Sequence, residues 1–144
     1  MTSILQGLKE AKTGSSMFVA LEDGGEIIGV FRGKPKVYYQ VFGEPKEYEE
    51  PAEGRTMRFK INFVVPEGTG HTAKILNSGA RLSKKLLAVE AEYGLDVLYK
   101  IKRTGVLKKT SYDILFKGEL NKAQLEAVNK VKLNPLERVE RPNV

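Results

Sequence analysis

Cationic and aromatic side chains recur together in three separate segments of this chain. Arg32, Lys34 and Lys36 precede the pair Tyr38-Tyr39; Arg58, Lys60 and Asn62 alternate with apolar residues; and Lys100, Lys102 and Arg103 approach Lys108 and Lys109. A Lys or Arg holds a phosphate through charge, and an exposed ring offers a base a face to stack on, each stack being worth about 1–3 kcal/mol. Clustered in this way, the residues suit a polyanion that carries flat heterocycles. Any single Lys among them is ordinarily a solvated side chain, so the clustering carries the reading.

Other chemistries have less to work with. The chain has no Cys and one His, which removes disulfides, thiolate zinc sites and Cys-His catalysis. A Ser-His-Asp arrangement would have to use His71, which lies in the glycine-containing loop Gly68-Thr-Gly-His-Thr72, where a surface His is the default. The glycines there fit neither the P-loop nor the dinucleotide pattern, both of which need a strand, set spacings and a helix. Glu44, Glu47, Glu49, Glu50 and Glu53 form an acidic run without alternating metal-ligand spacing. The expectation is a protein that is not an enzyme and uses neither a metal nor a cofactor.

The net charge of +6 is unevenly spread. Residues 1–55 carry seven Lys/Arg against nine Asp/Glu, residues 56–118 carry twelve against five, and residues 119–144 carry five against four. The positive charge therefore belongs to the middle of the chain, where it would attract phosphates and release their counterions. A length of 144 residues with 41% hydrophobic and 29% charged content suits one folded core. No apolar run reaches the roughly 20 residues of a membrane helix, and the N-terminus lacks a signal pattern. The expected location is the cytoplasm, with no membrane partner.

The elements that must position these residues are mostly strands. Met17 to Leu21 and Glu26 to Arg32 read as a hairpin about the turn Glu22-Asp-Gly-Gly25, and Val37 to Phe42 as a third strand or a continuation past a kink. Gly43 to Gly54 is acidic, contains Pro45 and Pro51, and reads as an exposed loop. Met57, Phe59, Ile61, Phe63 and Val65 then alternate with Arg58, Lys60 and Asn62, which predicts a core face and a basic face. Leu82, Leu86 and Val89 repeat at helical spacing, with Ser83 as N-cap and Gly94 as the stop. Asp96 to Arg103 and Tyr112 to Phe116 make a second hairpin with a basic tip at Thr104 to Thr110. Leu120 to Val131 is a short C-terminal helix capped by Asn121.

Strands joined by tight turns, with one helix late in the order, favour a mainly β fold. The specific expectation is a five-stranded antiparallel OB-type barrel with one helix between its third and fourth strands. The divisions are an arm or short helix at 1–16, the barrel at 17–118, and a helix and tail at 119–144. The predicted nucleic-acid residues are Arg32, Lys34, Lys36, Tyr38, Tyr39, Arg58, Lys60, Asn62, Lys100, Lys102, Arg103, Lys108 and Lys109. Alternation sends Tyr38 and Tyr39 to opposite faces. Because Val37 and Val41 travel with Tyr39, Tyr38 is the ring expected to face solvent.

The strings Gly25-Glu-Ile-Ile-Gly-Val-Phe-Arg-Gly-Lys-Pro35, Arg58-Phe-Lys-Ile-Asn-Phe-Val-Val65, Ala73-Lys-Ile-Leu76, Tyr93-Gly-Leu-Asp-Val-Leu-Tyr-Lys-Ile-Lys-Arg-Thr-Gly105 and Thr110-Ser-Tyr-Asp-Ile-Leu115 resemble bacteriophage single-stranded DNA-binding proteins. The resemblance implies an OB fold and sequence-tolerant coating of single-stranded DNA in phage replication or recombination. Replication or recombination proteins would be further partners. Several such proteins carry a Cys-rich zinc insertion, where this chain has the Cys-free acidic stretch, so no metal is carried over. The acidic 44–53 loop is expected to lie across the basic groove when DNA is absent. Alternative readings are an assembly protein that forms β-mediated oligomers, and an RNA-binding module.

Overall fold

The computed structural model describes residues 17–137; the expectations for 1–16 and for 138–144 fall outside the described residues. Among the described residues, six strands, two α-helices and a 3-10 turn follow one another as β1 (Glu26–Val41), β2 (Glu47–Tyr48), β3 (Arg55–Glu67), β4 (Gly70–Gly79), α1 (Ala80–Tyr93), β5 (Val97–Thr104), the 3-10 turn Leu107–Lys109, β6 (Ser111–Glu119) and α2 (Lys122–Asn129). The strands form one sheet in the order β4-β3-β1-β5-β6, with β2 added to β1. All named pairings are antiparallel. Because β4 and β6 do not pair, the sheet is not closed into a barrel.

The 16-residue β1 organises this sheet by serving two partners. Its first residues, Glu26 to Gly29, pair with β5, and Val30 to Val41 pair with β3. The changeover falls at Gly29, where an added Cβ would stand 2.4 Å from the Val64 carbonyl oxygen and 2.9 Å from the Phe63 ring. Only a residue without a side chain lets the strands pass this closely. A second irregularity between Arg32 and Lys36 shifts the register with β3. Its two extra β1 residues preserve side-chain parity, so Val30, Arg32, Lys36 and Tyr38 all share one face.

On the concave face, Phe31, Phe59, Ile61, Phe63, Tyr99, Ile101 and Ile114 pack beneath Leu82 and Leu86 of α1. Phe31 lies 4.7 Å from Phe63 and 5.7 Å from Tyr99 between ring centroids, within the range of favourable tilted pairs. The Tyr99 hydroxyl meets the carbonyls of Val89 and Gly94, which ties β5 to the end of α1. A second, smaller core forms on the convex face, where Val128 of α2 covers Val30 and Val64, joined by Leu98, Leu120 and Leu133. Asn121 and Gln124 make the full capping box that starts α2, satisfying two otherwise free N–H groups.

Several expectations are corrected. Met17 to Leu21 does not form a hairpin with β1. Phe18 bridges Ile75 in parallel instead, with Val19 N donating to Ile75 O and Ile75 N to Met17 O. The turn Glu22 to Gly25 does form, but Gly24 N donates to Arg103 O and Arg103 N to Gly25 O, which ties the turn to β5. Strand β4 was not expected; its Lys74, Asn77 and Ser78 interrupt any clean alternation, and long-range pairing with β3 supplies its order. Helix α1 begins three residues before Ser83, whose hydroxyl instead donates to Ala80 O at 2.7 Å. The 43–54 loop contains the short strand β2.

Two outcomes follow. Gly29→Ala should lower the unfolding free energy by about 3 kcal/mol in urea titration, since the clash is with backbone and cannot be relieved by a rotamer change. Burial, reinforced by Glu90 and Tyr93, raises the Tyr99 phenol above its ordinary value near 10. The unfolded chain ionises first as pH rises, so this stability is full below about pH 10 and falls above it. Tyr99→Phe should flatten that alkaline slope.

Candidate nucleic-acid interface

The convex face near the C-terminal end of β1 gathers polar side chains through strand register. Tyr38 stands opposite Arg58, Lys36 opposite Lys60, and Lys60 opposite Asn77. The Tyr38 hydroxyl donates to Asn77 Oδ1 at 2.6 Å, Arg58 Nε donates to the Tyr38 oxygen at 3.3 Å, and Arg58 Nη2 reaches Asn77 Oδ1 at 3.3 Å. Lys60 Nζ lies 4.9 Å above the Tyr38 ring and donates to both oxygens of Glu47, at 2.8 and 2.7 Å. Lys36 and Arg58 share this face with the Lys60–Glu47 pair, so three cations stand there against one carboxylate.

This arrangement revises the sequence reading of both tyrosines. Tyr38 is 2% exposed and is not the wet ring. Parity was read correctly, but the face that Tyr38 occupies is covered by its own polar neighbours and by Glu47 from β2. The opposite face of β1 runs past the edge of the concave core, so Val37 is 46% exposed and Tyr39 is half-buried between Tyr48 and Met57. Arg58, Lys60 and Asn62 were expected on an open basic face; Lys60 and Asn62 are buried. Asn62 exchanges hydrogen bonds with the backbone of Asn134, at 3.0 and 2.9 Å, and the Asn134 side chain donates to Ala73 O at 2.8 Å. The segment after α2 therefore covers the middle of β3.

Arg32 is likewise occupied. It pairs with Asp96 at 2.9 Å and donates to Asn129 Oδ1 at 2.9 Å and Leu95 O at 3.2 Å, fastening β1 to the α1–β5 connection and to α2. Lys100 and Lys102 lie on the convex face of β5 and straddle Glu26, at 3.4 and 3.9 Å. Arg103 Nη1 donates to Leu21 O, holding the segment before β1. Lys34 and Lys109 are exposed, and Lys108 shares the 3-10 turn with Lys109. Helix α2, seated on Val30 and Val64, divides the predicted basic surface in two. Lys36, Arg58 and Lys60 come together on one side; Lys100, Lys102 and Lys109 belong to the other end of the sheet.

Glu47 and Asn77 are the residues the sequence reading did not single out. Glu47 is one of five similar glutamates, and nothing local marks the one that meets Lys60. Of the acidic run, Glu47 reaches Lys60 of β3. Among the described residues no group of three or more His, Asp or Glu gathers as a metal site, and no helix is long and apolar enough to cross a membrane. Comparison with known proteins finds no match: no family model fits the chain, and no curated sequence or solved structure aligns with it significantly.

The Glu47–Lys60 pair sets up a stability test. Glu47→Ala leaves a buried ammonium without its counter-ion and should cost about 2–3 kcal/mol in urea unfolding. Adding Lys60→Met should recover most of that loss, because the double variant buries no unpaired charge.

Proposed function

We propose that the chain binds single-stranded nucleic acid, DNA in replication or recombination first, on the convex face of β1, β3 and β4. The observation that carries this reading is the seating of the Glu47 carboxylate by Lys60 on the face that also carries Lys36 and Arg58, since a group that holds one oxyanion suits a phosphate oxygen as well. The strand order supports it. With β2 set aside, β1, β3 and β4 form a meander, α1 follows, and the β5–β6 hairpin returns to β1, which is the connectivity of a partly open OB-type barrel. In that fold the second and third strands and the loops after the first and fourth strands contact oligonucleotides. Those elements here are β3, β4, the 42–54 connection and the basic turn at 105–110.

Neither ring of the predicted pair offers a stacking surface here, since Tyr38 is buried on this face and Tyr39 lies on the opposite one; Lys36 and Arg58 follow the phosphates. Glu47 holds Lys60 in the absence of a ligand and competes with phosphate for it. An OB-type fold hosts many functions, so the reading stands on these side chains.

Fluorescence titration with oligo(dT) tests it. Contact with about three phosphates gives a log–log salt slope near −2 at about −0.7 per phosphate, and Lys36→Ala or Arg58→Ala should each reduce it by about 0.7. Glu47→Gln should tighten binding at low salt. A chain that binds no oligonucleotide at low salt would refute the proposal, and tighter binding of a matched RNA would move the substrate from DNA to RNA.

A further inference from the structure

Helix α1 packs Leu82 and Leu86 into the concave core and leaves Arg81, Lys84, Leu87, Ala88, Glu90 and Glu92 exposed. Leu87, at 64% exposure, is the large apolar side chain of that outer surface. A single exposed Leu is common in folded proteins. The charges that flank this one are not arranged as a solvated helix would have them.

They run against the helix dipole. Arg81 and Lys84 stand in the N-terminal half of α1 and Glu90 and Glu92 near its C-terminal end, with no acid in the first turn and no base in the last. A helix carries partial positive charge at its N-terminus and partial negative charge at its C-terminus, so both ends of α1 meet the wrong sign. No neighbour relieves them. Among the described residues none of these four side chains forms an ion pair, whereas Lys85 on the adjoining side is paired with Asp113 of β6 at 2.8 Å. Glu92 also lies beside the Tyr93 phenol, a neutral group that leaves its charge uncancelled.

An antiparallel second copy of α1 supplies both missing charges. Arg81 and Glu92 are eleven residues apart, close to three turns at about 3.6 residues per turn, so they lie within about 20° of each other on one side of the helix. Across a two-fold axis perpendicular to the helices and to the line between them, residues on the same side meet. Arg81 of each copy then stands opposite Glu92 of the other, with Lys84 beside the turn that carries Glu90. The midpoint of positions 81 and 92 falls next to Leu87, which therefore meets its own copy, and the small side chain of Ala88 lets the helices approach.

We propose that α1 pairs with α1 of a second copy, antiparallel about a two-fold axis beside Leu87, forming a dimer in which Arg81 meets Glu92 at both ends of the contact. The same surface is used on both copies, so the contact is isologous and closes at two. It lies on the concave side of the sheet and leaves the convex face of each copy open. It requires no nucleic acid and does not rest on the nucleic-acid reading.

Sedimentation velocity of the full chain without nucleic acid tests it. The wild type should pass from monomer to dimer as concentration rises, with nothing larger, and less so at about 1 M salt, where the screening length falls to about 3 Å. The double variant Arg81→Glu/Lys84→Glu makes this surface of α1 acidic throughout, and Glu90→Lys/Glu92→Lys makes it basic throughout. Each alone should dimerise at least about tenfold more weakly, and an equimolar mixture of the two should recover the dimer. Because the chain has no Cys, Leu87→Cys with diamide as oxidant should give a disulfide-linked dimer faster than Lys122→Cys, an exposed position on α2. A wild type that is monomeric at every concentration overturns the proposal, as does assembly beyond the dimer, a mixture of the charge variants that yields no dimer, or cross-linking of Leu87→Cys no faster than that of Lys122→Cys. Retained oligo(dT) binding in any of those cases separates this failure from failure of the nucleic-acid reading.

Discussion

The passage of β1 over β3 at Gly29 is the constraint on which the rest of this structure depends. A strand that changes partners must bend, and here it bends with the Val64 carbonyl 2.4 Å from where a Cβ would be. That contact lets Glu26 to Gly29 pair with β5 while Val30 onward pairs with β3. Phe31 is thereby set against both Phe63 and Tyr99, joining the two halves of the sheet in one core. The same bend carries the far half of β1 beyond that core, where Tyr38, Arg58 and Lys60 meet.

Beyond the core, polar groups are buried by one another. Tyr38 loses its solvent to Asn77, Arg58 and Lys60, and Lys60 keeps its charge because Glu47 meets it with both oxygens. A buried ammonium without such a partner is costly, so the two-residue strand β2 has a purpose out of proportion to its length. It delivers one carboxylate to one cation. The neighbouring Lys36 and Arg58 add further positive charge to the same face.

Charge elsewhere is spent on architecture. Arg32 joins β1 to Asp96 and Asn129, Arg103 holds Leu21, and Glu26 balances Lys100 and Lys102. A count of basic residues along the chain therefore overstates the surface available to phosphate. Helix α2 and the segment that carries Asn134 add a second layer to the convex face and cover Asn62, which strand alternation alone would expose.

Local patterns were legible wherever one residue's neighbours in sequence are also its neighbours in space. The alternation of Met57 to Val65, the hairpin of β5 and β6, the end of α1 at Gly94 and the capping box at Asn121 all follow from short-range chemistry. So did the parity of Tyr38 and Tyr39, since a strand sends successive side chains to opposite faces. Which face is wet is another matter, because it depends on what another segment lays over it. Only the tertiary structure brought Glu47 to Lys60, Asn134 to Asn62 and Val128 to Val30, partners 13, 72 and 98 residues apart. Alternation reports a direction from the backbone; burial is decided by long-range packing, and the candidate site is made of such packing.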